Sequence, residues 1–192
     1  MHALDLTADQ IAPAFPGAQR ANIAHYWPYV RDALREAMLE SPRMVAYTLG
    51  TIAAETAGFV PLKEMVSILN TRNTAFDLYE GRKDLGNDKP GDGARYPGRG
   101  FPQLTGKGNY RRYGERIGRP LEERPELAQE PAISAQLLAL FVADRADKID
   151  AALRASDFAR ARKLVNGGTH GMDRFTHAYT TILRTLMGDG KL

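Results

Sequence analysis

Residues 44–64 read MVAYTLGTIAAETAGFVPLKE, an apolar helical pattern followed by a turn that glycine and proline break. The pattern is apolar nearly all round, which predicts a helix that crosses the core and carries Glu55 at its C-terminal end. Burial and the negative pole of the helix dipole both disfavour an ionised carboxylate there. The turn is expected to bring a second carboxylate, Glu64, back beside Glu55. General acid/base hydrolysis requires at least two carboxylates whose surroundings differ, so that one can act as the acid and the other as the base.

The composition is that of an ordinary globular protein of 192 residues, with 43% hydrophobic and 26% charged residues. That length favours a single domain, so we expect one catalytic domain over residues 1–192. The formal net charge of +3 is too small to indicate a nucleic-acid partner. Cysteine is absent, which excludes disulfides and thiolate metal sites.

The N-terminus, MHALDLT, lacks the basic region and the long apolar core of a secretory signal. No apolar run approaches the roughly 18–20 residues that a membrane span requires. We therefore expect synthesis in a cytoplasm and no membrane insertion. We also expect a monomer.

Helix signals recur along the chain and predict a mainly α fold. Thr7 opens a capping box with Gln10, and Ser41 precedes a proline at the first helical position. Residues 101–105 are a short candidate strand, whereas residues 81–100 are rich in glycine and charge and predict a long loop, which in a compact domain is usually functional or disordered. Further helices are predicted over residues 18–39, 107–117, 132–146 and 171–187, and from Asp157 onward.

Several kinds of chemistry have little support. No serine lies in a Gly-x-Ser-x-Gly elbow, and the four histidines are scattered without a His-Glu-x-x-His pattern. The glycine pairs at 91/93 and 98/100 do not follow a predicted strand, so nucleotide binding is not indicated. We expect no cofactor and no metal.

Polar residues after the glycine-rich segment favour a glycan site. Gln103, Thr105 and Asn109 can hydrogen-bond a polymer rich in hydroxyl and acetamido groups, and can hold a water against a carboxylate. Tyr96 and Tyr110 are expected to offer stacking faces for sugar rings. Taken singly, each residue is better explained as a cap or a turn; the combination carries the prediction.

Two motifs carry a family resemblance. The stretch ETAGF at residues 55–59 with Glu64, and YPGRGFPQLTGKGNY at residues 96–110, resemble the signature of glycoside hydrolase family 19. That family contains the plant-type chitinases and many phage endolysins. Residues 166–168, NGG, followed by Arg174, are similar to its C-terminal motif, so the resemblance spans nearly the whole chain. It implies a lysozyme-like α-helical domain with a small β-hairpin region beside a substrate cleft.

The resemblance also implies roles. Glu55 matches the general acid, Glu64 the general base, and Thr105 the residue that helps to place the nucleophilic water. The other matched positions are polar substrate contacts, or an arginine near the acid: Gln103, Asn109, Asn166 and Arg174. The implied mechanism is inversion, which needs carboxyls roughly 6.5–9.5 Å apart, where retention needs about 5–5.5 Å.

The chain departs from the family pattern at several points, and Ala57 stands where glycine is common. Ala54 stands where the family often has histidine, which affects the orientation of Glu55. The cysteines and longer loops of the plant enzymes are missing, which places the chain with compact phage and bacterial members. Other candidates for the base or for substrate contacts lie in or near the glycine-rich segment: Glu80, Asp84, Asp88 and Asp92.

The function implied is that of an antimicrobial bacteriophage endolysin. Such an enzyme cuts β-1,4 glycosidic bonds of peptidoglycan, in the periplasm or cell wall, after a holin-type release. One alternative keeps the chemistry and changes the polymer to chitin. Another, of a different class, is a non-catalytic glycan-binding module on the same fold.

Overall fold

The protein is mainly helical in a computed structural model that describes residues 2–56, 58–166, 168 and 170–188, without the side chain of Asn166. Short 3-10 turns link the α-helices, and the β structure of the described residues is two isolated antiparallel bridges, Lys63–Arg99 and Arg99–Leu104. The helical class predicted from the sequence is confirmed. The α-helices are α1 (Ala8–Ile11), α2 (Arg20–Glu36), α3 (Pro42–Glu55), α4 (Asp92–Arg95), α5 (Lys107–Ile117), α6 (Pro131–Ala143), α7 (Ala146–Arg154), α8 (Phe158–Asn166) and α9 (Met172–Met187).

The chain divides into two compact units. The first comprises residues 1–60 and 138–192, and the second comprises residues 61–137. The expectation of one catalytic domain over the whole chain stays a prediction.

In the first unit the core is built around α3. Every residue of α3 from Met44 to Ala54 is buried, as its apolar composition predicts. The Tyr47 ring packs edge-on against Phe175 of α9, with centroids 5.5 Å apart, and its hydroxyl donates to the Ala161 carbonyl of α8 at 2.8 Å. The helix therefore carries Glu55 to the end of a closely packed core.

Local signals fixed most helix starts. Thr7 and Gln10 form the predicted capping box, and Ser41 accepts a hydrogen bond from the amide of Met44. One predicted helix end was wrong. The helix predicted over residues 132–146 ends at Ala143, as α6, and a separate helix, α7, begins at Ala146.

In the second unit, residues 81–100 are not a structureless loop. Glu80 accepts hydrogen bonds from the amides of Gly91 at 2.6 Å and Gly93 at 2.8 Å. Lys107, only 5% exposed, pairs with Asp88 and with the buried Asp92. A buried ammonium is stable only when paired, so these contacts fold the segment onto α5.

The strand expected over residues 101–105 is wrong. Residues 100–103 form a turn that reverses the chain, and Arg99 and Leu104 exchange backbone hydrogen bonds of 3.2 and 2.9 Å across it. Gly100 has a φ of +75° and Gln103 a φ of +51°, which are left-handed and incompatible with a strand. Pro102 also lacks the amide that a ladder needs.

Within the described ranges, no helix combines the length and the apolar character that crossing a bilayer requires.

The contact between α3 and α9 gives a first prediction. A Cβ added to Gly50 would lie 3.0 Å from both Cδ2 and the carbonyl oxygen of Phe175, a buried residue. We expect Gly50→Ala to lower the free energy of unfolding by about 1–2 kcal/mol, because overpacking outweighs the gain in helix propensity.

Chemical denaturation measures this change. The control is Gly17→Ala, where an added Cβ meets nothing within 4 Å, and it should stay within about 0.5 kcal/mol of the wild type. A Gly50→Ala protein as stable as the wild type would show that α3 and α9 do not depend on this close approach.

Candidate active site

Glu55, the last residue of α3, is paired with an arginine that the sequence reasoning missed. Its Oε1 accepts a hydrogen bond from Nη2 of Arg162, in α8. Arg162 is 1% exposed, and the same nitrogen donates to the His170 carbonyl at 3.2 Å. A guanidinium does not lose its proton in a protein, so the Glu55 carboxylate serves as counter-ion to a buried charge.

Arg162 changes the expected surroundings of Glu55. The sequence predicted a buried helix end around Glu55, and the structure adds a guanidinium in direct contact with its carboxyl group. The sequence carried one signal of this pair: position 162 lies four residues after Phe158, on the inward face of an amphipathic helix. A charged residue is rarely buried unless it is paired.

Arg174 lies against the residue before Glu55. It is in the first turn of α9, and its Nη2 donates to the Ala54 carbonyl at 2.9 Å, one of the carbonyls that the end of α3 leaves without a helical partner. An added Cβ on Gly171 would lie 3.1 Å from Cβ of Ala54, so α9 begins directly on this position.

Glu64, in the second unit, is held by three donors. Its Oε1 accepts from Asn70 Nδ2 and from the Tyr79 hydroxyl, both at 2.8 Å, and its Oε2 accepts from the Gly98 amide at 3.0 Å. Burial and the hydrogen bond to Glu64 raise the pKa of Tyr79. Its hydroxyl therefore stays protonated at neutral pH and can donate to Glu64. The carboxylate is thereby fixed in one orientation.

Glu64, Gln103 and Thr105 converge on Gly98. A Cβ on Gly98 would lie 3.3 Å from Glu64 Oε2, 2.7 Å from Gln103 Oε1 and 3.3 Å from Thr105 Oγ1. Only glycine leaves room there for three side-chain oxygens around one point. The structure thus brings together three of the residues that the sequence predicted.

Each neighbour of Glu64 is oriented by the backbone. The Thr105 hydroxyl donates to the Gln103 carbonyl at 2.9 Å, which leaves its lone pairs to accept from a water. The Gln103 amide group donates to the carbonyls of Leu62 and Gly100, at 3.0 and 2.9 Å. Asn109 donates to the Thr105 carbonyl at 2.8 Å, so it holds the threonine in place.

The prediction that Tyr96 and Tyr110 stack on sugar rings is wrong. They are 3% and 0% exposed, with ring centroids 5.4 Å apart, so neither offers a face to a sugar ring. The Tyr96 hydroxyl donates to the Glu122 carbonyl at 2.9 Å. The Tyr110 hydroxyl donates to the Pro97 carbonyl at 2.8 Å, and burial raises its pKa to about 12. Both tyrosines are core residues, and Tyr110 holds the backbone directly before Gly98.

The other carboxylates proposed for the base have structural partners. Glu80 caps two glycine amides, Asp88 and Asp92 pair with Lys107, and Asp84 pairs with Arg82. The side chain of Asn166 lies outside the described residues. Asn70 and Tyr79 were missed because their contacts with Glu64 depend on how the chain between them folds back.

Comparison with known proteins gives a fold and a resemblance. No protein-family model matches the chain. Among solved structures, one match is chitinase C from Streptomyces griseus. The match covers 94% of this chain and 76% of the chitinase, with 21% identity and a TM-score of 0.64. A second match is a bacterial family 19 chitinase. This match covers 92% of this chain and 94% of the chitinase chain, with 19% identity and a TM-score of 0.64. The fold is that of the family 19 chitinases.

A curated relative carries the same family name. It is a glycosyl hydrolase family 19 domain-containing protein from Haemophilus influenzae, 28% identical over 108 residues, which are 56% of this chain and 51% of the relative. The chain thus spans about half the length of that relative. The resemblance to family 19 drawn from the motifs is confirmed.

The pair of Glu55 and Arg162 gives a second prediction. Glu55→Gln leaves a buried guanidinium without its counter-ion, so we expect the free energy of unfolding to fall by about 3 kcal/mol. Adding Arg162→Met removes the uncompensated charge and should recover most of that loss.

Urea denaturation of the single and double variants tests this. Glu126→Gln, which breaks an exposed pair with Arg124, is the control and should change stability by less than about 1 kcal/mol. If the double variant is no more stable than Glu55→Gln, the charge of Arg162 does not need Glu55.

Proposed function

We propose that this protein is a glycoside hydrolase that cleaves β-1,4 bonds of peptidoglycan with inversion. The observation that carries the proposal is the arrangement at Gly98, where a fixed carboxylate, Glu64, shares one point with the hydroxyl of Thr105 and the amide oxygen of Gln103. A carboxylate and a hydroxyl acceptor so placed can hold a water and take its proton. The family 19 fold supports the same chemistry.

On this proposal Glu64 is the general base. The water oxygen bonds to the anomeric carbon while one water proton passes to Glu64, and the bond from that carbon to the leaving oxygen breaks. Asn70, Tyr79 and the Gly98 amide keep the carboxylate aimed at the water throughout. Preorganised partners avoid the cost of reorientation during the reaction.

Glu55 is the proposed general acid, and Arg162 has a part in its work. In its protonated form Glu55 would donate from one carboxyl oxygen to the leaving oxygen, while the other oxygen accepts from Arg162. As the proton leaves, the carboxylate is restored beside the guanidinium. Arg162 therefore stabilises the charge that develops on Glu55 in the transition state.

Peptidoglycan is the proposed polymer because the chain resembles the compact phage members of the family. The proposal extends to a monomeric endolysin that reaches the cell wall after holin-type release. The mild positive charge would assist approach to an anionic envelope. Chitin is the second candidate, since the structures with the same fold are named chitinases.

The test is digestion of purified sacculi and of chitin oligomers by the full chain, with mass spectrometry of the soluble products. We expect muropeptides with new reducing ends from sacculi, at a higher rate than chitin fragments. Preferential cleavage of chitin oligomers would transfer the assignment to the second candidate. Sacculi that bind the protein and release nothing would indicate a glycan-binding module instead.

Glu64→Gln gives the matching variant. It keeps the size of the side chain but removes the base, so we expect kcat to fall by about 10²–10⁴-fold with KM little changed. Glu123→Gln, at an exposed acid of the same unit, should keep wild-type turnover. Equal turnover by both variants, with unchanged circular dichroism, would remove Glu64 from the role of base.

A further inference from the structure

Residues 65–69, hereafter the 65–69 loop, expose an unusual amount of apolar surface. Met65 is 81% exposed, Val66 56%, Ile68 90% and Leu69 80%. Single exposed apolar residues are ordinary, but a contiguous group marks an interaction site. The loop directly follows Glu64 and belongs to the second unit.

The outward direction of these side chains has a structural cause. Asn70, 1% exposed, donates from Nδ2 to the Met65 carbonyl at 2.9 Å, and its Oδ1 accepts from the Ser67 amide at 2.9 Å. The Asn70 amide also donates to the Ser67 carbonyl at 3.2 Å. Polar contacts thus fill the inside of the loop and leave its apolar side chains in water.

The charges around the loop favour an anionic partner. Lys63 and Arg72 flank it, are exposed, and form no ion pair within the described part of the chain. The nearby carboxylates are turned toward donors of the chain itself. Glu64 accepts three hydrogen bonds, and Asp77 accepts from the amides of residues 72, 73 and 74 at 2.6, 2.7 and 3.0 Å.

We propose that the 65–69 loop attaches the protein to an anionic phospholipid surface. Its apolar side chains would enter the boundary between headgroups and acyl chains, while Lys63 and Arg72 meet lipid phosphates. Five residues can enter only one leaflet, so this is peripheral attachment. It qualifies the expectation of no membrane insertion, which rested on spanning segments.

Two other occupants fit less well. A stable protein interface takes about 20–30 residues from each partner, far more than this loop offers to a second copy of the chain. A glycan strand presents hydroxyl and acetamido groups, which aliphatic side chains cannot hydrogen-bond. Acyl chains accept apolar groups without a matching shape, so the lipid surface uses what the loop presents. The proposal is independent of the hydrolase activity.

Co-sedimentation of the full chain with vesicles tests the proposal. One set of vesicles contains phosphatidylglycerol and phosphatidylcholine, and the other contains phosphatidylcholine alone. We expect binding to the anionic vesicles that weakens as salt rises. Ile68→Ser with Leu69→Ser should lower the partition coefficient by about tenfold or more, and Lys63→Gln by about fivefold.

Met38→Ser is the matched control, because Met38 is 88% exposed but lies in the first unit. It should bind anionic vesicles like the wild type. The proposal is overturned if the wild type sediments with neither vesicle, or if Met38→Ser weakens binding as much as the loop variant. It is also overturned if the loop variant loses only binding to sacculi, or only a dimer seen by sedimentation velocity.

Discussion

The charge of Arg162 is the constraint on which the first unit depends. A guanidinium that is 1% exposed is costly to bury, and the Glu55 carboxylate compensates it directly. This contact joins the end of α3 to α8, so the residue proposed for chemistry is also part of what holds the helices together. Function and stability therefore cannot be separated at Glu55, and a variant that removes its charge has to be judged on both.

In the second unit, the Glu64 carboxylate is held by neutral hydrogen-bond donors instead of a positive charge. Glu64 is oriented by an amide side chain, a tyrosine hydroxyl and a backbone amide, each fixed by further contacts. Lys107 and the buried Tyr110 hold the surrounding turn and the glycine-rich segment in shape. The segment that looked irregular in sequence is ordered because its carboxylates and amides satisfy one another.

Local sequence signals predicted the helices well. The cap at Ser41 and the apolar run of α3 depend on neighbouring residues, so the sequence shows them directly. The family motif identified Glu64, Gln103 and Thr105, whose convergence depends on the turn after Gly98 and on the bridge between Lys63 and Arg99. The strand at residues 101–105 failed because left-handed residues at positions 100 and 103 reverse the chain.

Contacts between distant residues were beyond such signals. Arg162 lies 107 positions from Glu55, and its inward position on an amphipathic helix signals a buried charge without specifying Glu55 as the partner. Tyr96 and Tyr110 were assigned to the surface because an aromatic ring suits a sugar as well as a core. Their burial depends on how residues 96–110 pack against the rest of the second unit, as in the hydrogen bond from Tyr96 to the Glu122 carbonyl.

The central proposal is an inverting hydrolysis in which Glu64 acts as the base and no covalent intermediate forms. Proton NMR of the first product released from a β-1,4-linked N-acetylglucosamine oligomer or glycan strand tests it most directly. Inversion predicts that the new reducing end appears first as the α-anomer and then mutarotates. A β-anomer appearing first would contradict the account, because it would require a carboxylate or the substrate's own acetamido group to attack the anomeric carbon before water does.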